Sequence, residues 1–155
     1  MTLYSLTLNG QQRTVDADGE TSLLQLLRNE FCINSLKYGC GTEQCGACRV
    51  LVDGEVTCAC TRTLAESSGT DVVTVEGLSE DRQLHPLQRS FLDLNAGQCG
   101  YCLSGILITA YKLLQTNSNP DRSEIAAALK DNLCRCGAHN RIIAAIEASA
   151  SMTDE

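Results

Sequence analysis

Cysteine is the residue type here whose spacing could do chemistry. The chain carries ten in 155 residues. Cys40, Cys45 and Cys48 form C-x4-C-x2-C with Cys58 and Cys60 downstream, Cys99 and Cys102 form C-x2-C, and Cys134 and Cys136 lie one residue apart. The first spacing suits a binuclear [2Fe-2S] cluster, because two bridged irons need four thiolates around a compact negative core and one tight loop can supply three of them. Gly39, Gly41 and Gly46 let that loop fold closely and turn amides toward sulfur. Cys134 and Cys136 would point about 200° apart on a helix, so this pair marks a helix break. Two pairs of thiolates suit structural zinc, a second iron–sulfur centre or a redox dithiol. The first set favours iron–sulfur for the second. "CGYCLSG" also opens a helix, whose dipole favours a negative group.

Composition removes other classes of function. A net charge of −7 with no basic stretch offers no footprint for nucleic acid. No apolar run approaches membrane-spanning length, and "MTLYSLTLNG" has no basic n-region, apolar h-region or twin arginine. The expected location is the cytoplasm, where structural disulfides are rare and cysteine clusters more often bind metal. No serine or cysteine has a convincing base partner and no phosphate loop is present, so no catalytic residue is assigned. His85 and His139 read as capping or solvated residues, and Cys32 and Cys58 as small buried hydrophobes.

Two kinds of element must position these thiols. "LYSLTLNG" and "QQRTVDA" alternate around Asn9-Gly10, "TSLLQLLRNE" is an amphipathic helix behind a Thr21 or Ser22 cap, "CRVLVDGEVTC" gives two strands around Asp53-Gly54, and "DVVTVEGL" one more. This order predicts a β-grasp sheet clasping one helix. The second half reads as four helices: one opened by His85-Pro86, one through Ile106, Leu107, Ala110, Leu113 and Leu114, one from "NPDRSEIAAALKDNL", and one through Ile142, Ile143 and Ile146. The third is expected to carry Ile125, Ala128, Leu129 and Leu133 on one stripe and to run into Cys134, with Gly137 as a left-handed stop. The fold class is therefore α+β: a β-grasp domain with plant-ferredoxin-like cysteine spacing over 1–78, a polar linker at 79–85, and a four-helix bundle over 84–150.

The blocks "KYGCGTEQCGAC", "LHPLQRSF", "QCGYCLSG" and "NLCRCG" resemble the small iron–sulfur subunit of the molybdenum hydroxylases, the xanthine dehydrogenase and aldehyde oxidoreductase family. The resemblance covers about Tyr4 to Ile146, and the ending "CRCGAHNRI" looks most like nicotinate dehydrogenase and isoquinoline oxidoreductase small subunits. It implies two [2Fe-2S] clusters, the first on Cys40, Cys45, Cys48 and Cys60 and the second on Cys99, Cys102, Cys134 and Cys136. Cys60 is preferred to Cys58 because the family places its fourth ligand seven residues after the aspartate of the "VDG" turn. Gln98 matches a glutamine that lies near the pterin. The implied function is electron transfer from a molybdenum-pterin centre in a large partner subunit, where an N-heteroaromatic compound or aldehyde is transformed, to an acceptor. That acceptor could be a flavin (FAD) subunit or a haem cytochrome. The rival readings are a free-standing double-cluster carrier and a zinc-stabilised interaction module.

Overall fold

The computed structural model describes residues 2–81 and 83–152. Strands β1 (Thr2–Leu8) and β2 (Gln11–Ala17) form a hairpin whose turn residues Asn9 and Gly10 take φ of 49° and 77°, the paired positive values that a two-residue hairpin requires. Helix α1 (Leu23–Asn29) starts where the Ser22 side chain accepts the Gln25 amide. Strands β3 (Arg49–Val52) and β4 (Glu55–Cys58) turn on Asp53 and Gly54 in the same way, at φ of 50° and 79°. A short α2 (Leu64–Ser67) and strand β5 (Asp71–Val73) complete this half. The sheet order is β2-β1-β5-β3-β4, with the central β1–β5 pair parallel and the other pairs antiparallel.

Strand alternation divides the side chains of β3 between two cores. Val50 and Val52 join Leu6, Leu8 and Val72 against Leu23, Leu24 and Leu27 of α1. Leu51 faces the other way, onto Leu78 and Ile108. Ile108 belongs to α4 (Leu103–Thr116), which lies with α3 (Pro86–Asp93), α5 (Arg122–Ala128) and α6 (His139–Met152) in the helical half. There Leu87, Phe91, Ile106, Ala110, Ile125, Ile142 and Ile146 form a core of their own. Helix α4 is thus buried on two sides: Ile106 and Ala110 face the bundle, and Ile108 faces the sheet.

Three expectations are corrected. "DVVTVEGL" is a strand only to Val73; Val75–Leu78 is a 3-10 turn, because the Asn9 side chain clamps Thr74 through two hydrogen bonds of 2.9 and 3.1 Å. The helix expected to reach Cys134 ends at Ala128, and its stripe stops at Leu129, since Leu133 is 62% exposed. The physical reason is a competing partner: the Leu133 amide donates to the Cys45 carbonyl at 3.0 Å, which needs an extended chain there. Gly137 does take a positive φ of 70°, in a turn closed onto the Cys134 carbonyl rather than at a helix end. Cys32, expected to be buried, is exposed; it takes a positive φ of 55° just after α1. In the linker, Glu80 and Gln83 form an isolated bridge, and Arg82 lies outside the described residues.

Candidate metal centres

The loop between α1 and β3 wraps its own sulfurs. Amides of Thr42, Gln44 and Cys45 all donate to Cys40 Sγ at 3.2 to 3.3 Å, and the Cys40 amide donates to Cys45 Sγ at 3.4 Å. Positive φ at Gly41, Glu43 and Gly46 turns those amides inward, the concave donor arrangement that holds anions. Hydrogen bonding from Thr42 lowers the Cys40 thiol to about 6. Gly39 leaves room for the Cys45 thiol, which a Cβ there would meet at 2.5 Å.

Cys48, buried at the foot of β3, is within hydrogen-bonding reach of both Cys58 and Cys60. Its hydrogen bond to Cys58, together with burial, raises the Cys48 thiol. The same bond lowers Cys58 to about 6 against an opposing burial effect, helped by Arg49. Cys58 also approaches the Glu43 carbonyl at 3.9 Å.

The second set is assembled from two turns. Cys99 and Cys102 lie between α3 and α4, with Cys102 as the residue preceding the first turn of α4. Cys134 and Cys136 lie between α5 and α6. Burial and the neighbouring Cys134 push Cys102 up to about 12. Burial works to raise Cys134 too, but hydrogen bonds from the Ala138 amide, Cys102 and the Cys136 and Gly137 amides bring it below its usual value. The Gln98 side chain is exposed and donates to the Cys136 carbonyl at 3.4 Å.

The two sets meet at one small cavity of about 150 Å³, lined by Gly39, Cys45 and Ala47 from the first and Cys99, Cys102 and Cys134 from the second. Tyr101 and Leu133 also line it. Tyr101 donates its hydroxyl to the Tyr38 carbonyl at 2.6 Å. Within this arrangement Cys40 lies against Cys45, Cys48 against Cys58 and Cys60, and Cys102 against Cys134. Neighbouring thiols are what a binuclear cluster needs, since each iron takes two thiolates. Inward amides, a space left by missing Cβ atoms and paired sulfurs together fit that group.

The histidines have partners of their own. His85 caps α3, its Nδ1 accepting the Leu87 amide at 3.1 Å, and His139 Nε2 donates to the Asn132 carbonyl at 3.2 Å. Reading by spacing missed Arg49, Asn132 and Tyr101, which tie the two loops together. Adjacency to Cys48 was a signal for Arg49. Asn132 offered none, because its partner Arg49 lies 83 residues away in sequence.

Two family models match successive parts of the chain. Residues 6–77 match the family described as "2Fe-2S iron-sulfur cluster binding domain", and residues 74–147 match "[2Fe-2S] binding domain". A nicotinate dehydrogenase chain of Pseudomonas putida is 44% identical over 149 residues, covering 96% of this chain and 95% of the relative. The alpha chain of isoquinoline 1-oxidoreductase from Brevundimonas diminuta is 38% identical over 149 residues, covering 96% and 97%. A chain of the quinoline 2-oxidoreductase crystal structure from Pseudomonas putida 86 superposes with a TM-score of 0.94 at 35% identity, covering 99% of this chain and 96% of that one.

Proposed function

The chain belongs to the family of two-cluster [2Fe-2S] subunits of the molybdenum hydroxylases, and from that premise we propose a residue-level assignment: Cys40, Cys45, Cys48 and Cys60 hold one cluster, and Cys99, Cys102, Cys134 and Cys136 hold the other. The protein is an electron-transfer subunit of a multi-subunit oxidoreductase whose substrate-transforming site, with its molybdenum-pterin cofactor, lies in a partner. Two bound clusters supply one-electron carriers in series, which divides the electron pair released by one substrate. The protein's part is to hold the thiolates in pairs, donate amides to their sulfurs and keep the two sets at a fixed separation.

The observation that carries this reading is the shared cavity, which brings Cys45 within the same walls as Cys99, Cys102 and Cys134. Cys60 is preferred as fourth ligand because it lies seven residues after Asp53, where the family places that ligand; Cys58 is engaged by Cys48, Arg49 and the Glu43 carbonyl. The assignment divides the chain into units at 1–78 and 84–150, supported by the two separate cores. The second set faces the molybdenum partner and the first faces the acceptor, a flavin subunit or a cytochrome. Gln98 supports this order, because its exposed amide stands at the Cys136 end of the second set and can contact a pterin.

Tyr38, Tyr101 and Leu133, 62%, 49% and 62% exposed beside the cysteine loops, provide an apolar face for the large subunit. Relatives named for nicotinate, isoquinoline and quinoline make an N-heteroaromatic compound the proposed substrate of the complex. Among the described residues no helix is long and apolar enough to cross a membrane, and we place the complex in the cytoplasm. Purifying the native complex and assaying it tests the reading: about four irons and four acid-labile sulfides per copy of this chain are expected, with two distinct spin signals and stoichiometric molybdenum in the partner. Stoichiometric zinc in this chain, or this chain alone as a molybdenum-free monomer, would overturn it.

A further inference from the structure

Arg49 is the first residue of β3, follows Cys48 and lies opposite Cys58 in the β3–β4 register. Its side chain is 12% exposed. One guanidinium nitrogen, Nη1, donates to Thr109 Oγ1 of α4 at 3.0 Å and to Asn132 Oδ1 at 2.6 Å, while Nη2 stands 4.0 Å from the exposed Asp131 carboxylate. The same side chain hydrogen-bonds the Cys58 thiol. One residue therefore touches the sheet half, α4 and the loop leading into Cys134.

The surroundings make that junction tight. Asn132 is buried, and its Nδ2 would lie 2.7 Å from a Cβ on Gly46, as would the Asp131 carbonyl. A Cβ on Gly105 of α4 would overlap the Gly46 carbonyl. The next residue along, Leu133, donates its amide to Cys45. From the side of β3, it is the Arg49 fork that holds loop 131–134 in place.

Charge adds a second role. A mostly buried cation is costly unless an anion compensates it. Thr109 and Asn132 are neutral, Asp131 is 58% exposed at 4.0 Å, and Glu43, across the surface cavity that Arg49 and Cys58 line, is hydrogen-bonded by Thr61. A cluster on four thiolates, one thiol removed from the guanidinium, would place a further anion beside it. Reduction adds one negative charge to that cluster, and a nearby cation favours it.

We propose, on the cluster assignment above, that Arg49 is a positioning residue with two effects: it locks the separation of the two cysteine sets and holds the reduction potential of the first cluster up. Both effects are read by spin spectroscopy during a reductive titration of the complex purified with its partners. Arg49→Met should lower the reduced-to-oxidised ratio of the first cluster about tenfold at fixed applied potential, equivalent to about 59 mV for one electron. It should also broaden or abolish the magnetic splitting between the two reduced clusters, because dipolar coupling falls with the cube of distance. Arg49→Lys, which keeps the charge and loses the fork, should restore the potential and not the splitting. Asn132→Ala should do the same from the other side of the contact. A loaded Met variant with unchanged potential and splitting overturns the proposal, as does an equal shift of both clusters. If the Met variant loses its iron, the other two decide: altered splitting at an unchanged first-cluster potential supports the lock, and wild-type behaviour in both overturns it. Wild-type protein without iron overturns the cluster assignment itself, whereas a loaded wild type with indifferent variants overturns only the role of Arg49.

Discussion

The first cysteine set is built mostly by one loop, the second by the packing of helices. Cys40, Cys45 and Cys48 lie within nine consecutive residues, and the amides that serve Cys40 come from the same stretch. Cys102 and Cys134 come from turns that meet only because α3, α4, α5 and α6 share a core. Local construction tolerates distant damage; assembled construction transmits it. The two halves are joined at one place where neither has slack, the contact of Gly46 with Gly105 and with residues 131–132.

The largest effect on the two sites together should come from removing that distinction altogether. Gly105→Ala places a Cβ on the Gly46 carbonyl, backbone against backbone, with no flexible side chain to yield. Overpacking of this kind typically costs about 1–3 kcal/mol, and a rigid two-sided helix puts α4 at the upper end. Both spin signals should weaken together, and the denaturant midpoint should fall. Intact signals with an unchanged midpoint would show that the halves do not depend on this contact.

A matched pair of core truncations sharpens the contrast. Leu27 in α1 and Ile142 in α6 are both fully buried, so Leu27→Ala and Ile142→Ala should each cost about 2–5 kcal/mol. Their effects on the clusters should differ. Ile142→Ala should distort or lose the second signal, whereas Leu27→Ala should leave the first largely intact in the fraction that remains folded. Equal sensitivity of the two signals would contradict the local character of the first site.

The same contrast governs what could be read from sequence. Paired positive-φ turns at Asn9-Gly10 and Asp53-Gly54, the α1 stripe and the buried faces of α4 and α6 are set by neighbours a few residues apart, and their residue types announce them. The C-x4-C-x2-C loop is legible for the same reason. What was hidden depends on partners far away. Helix α5 stops early because Leu133 is taken by Cys45, the second burial side of α4 exists only because the sheet presents Leu51, and Val75–Leu78 leaves the strand because Asn9 holds Thr74. The four-residue α2, with its Thr63–Glu66 capping box, was visible in principle, since Thr63 precedes Glu66 by three; its shortness left no period to notice.

A smaller and more selective effect is expected at the fourth ligand of the first set. Cys60→Ser should perturb or lose the first signal and leave the second. Cys58→Ser should leave both in place, at the cost of the contacts to Arg49 and the Glu43 carbonyl. Iron analysis alongside the spectra separates a lost ligand from a lost fold. The reverse outcome would move the ligand to Cys58 and free Cys60 to pack on the sheet core.

The smallest effect concerns acid, and it should touch the helical half first. His85 caps α3 by accepting the Leu87 amide on Nδ1, which only an unprotonated Nδ1 can do. Burial lowers the His85 pKa from its usual 6.5, with Glu80 pulling weakly the other way, and the ring sits edge-on to Tyr111 at 5.1 Å. Because the folded state binds this proton less readily than the unfolded chain does, the contribution of His85 is complete above 6.5 and is lost as pH falls through the lowered folded value. The cap in the sheet half behaves differently: Glu66 is held below its usual 4.5 by hydrogen bonds from Thr63, so its contribution survives until more acid pH. Between about pH 7.5 and 5, urea midpoints should therefore decline with a component that His85→Asn removes, since asparagine keeps an acceptor at the cap and has no proton to gain. Amide exchange should show α3 opening first in that window while the amides of α2 stay protected. A wild-type slope that His85→Asn leaves unchanged, or α2 opening ahead of α3, would sink the assignment of acid sensitivity to this cap.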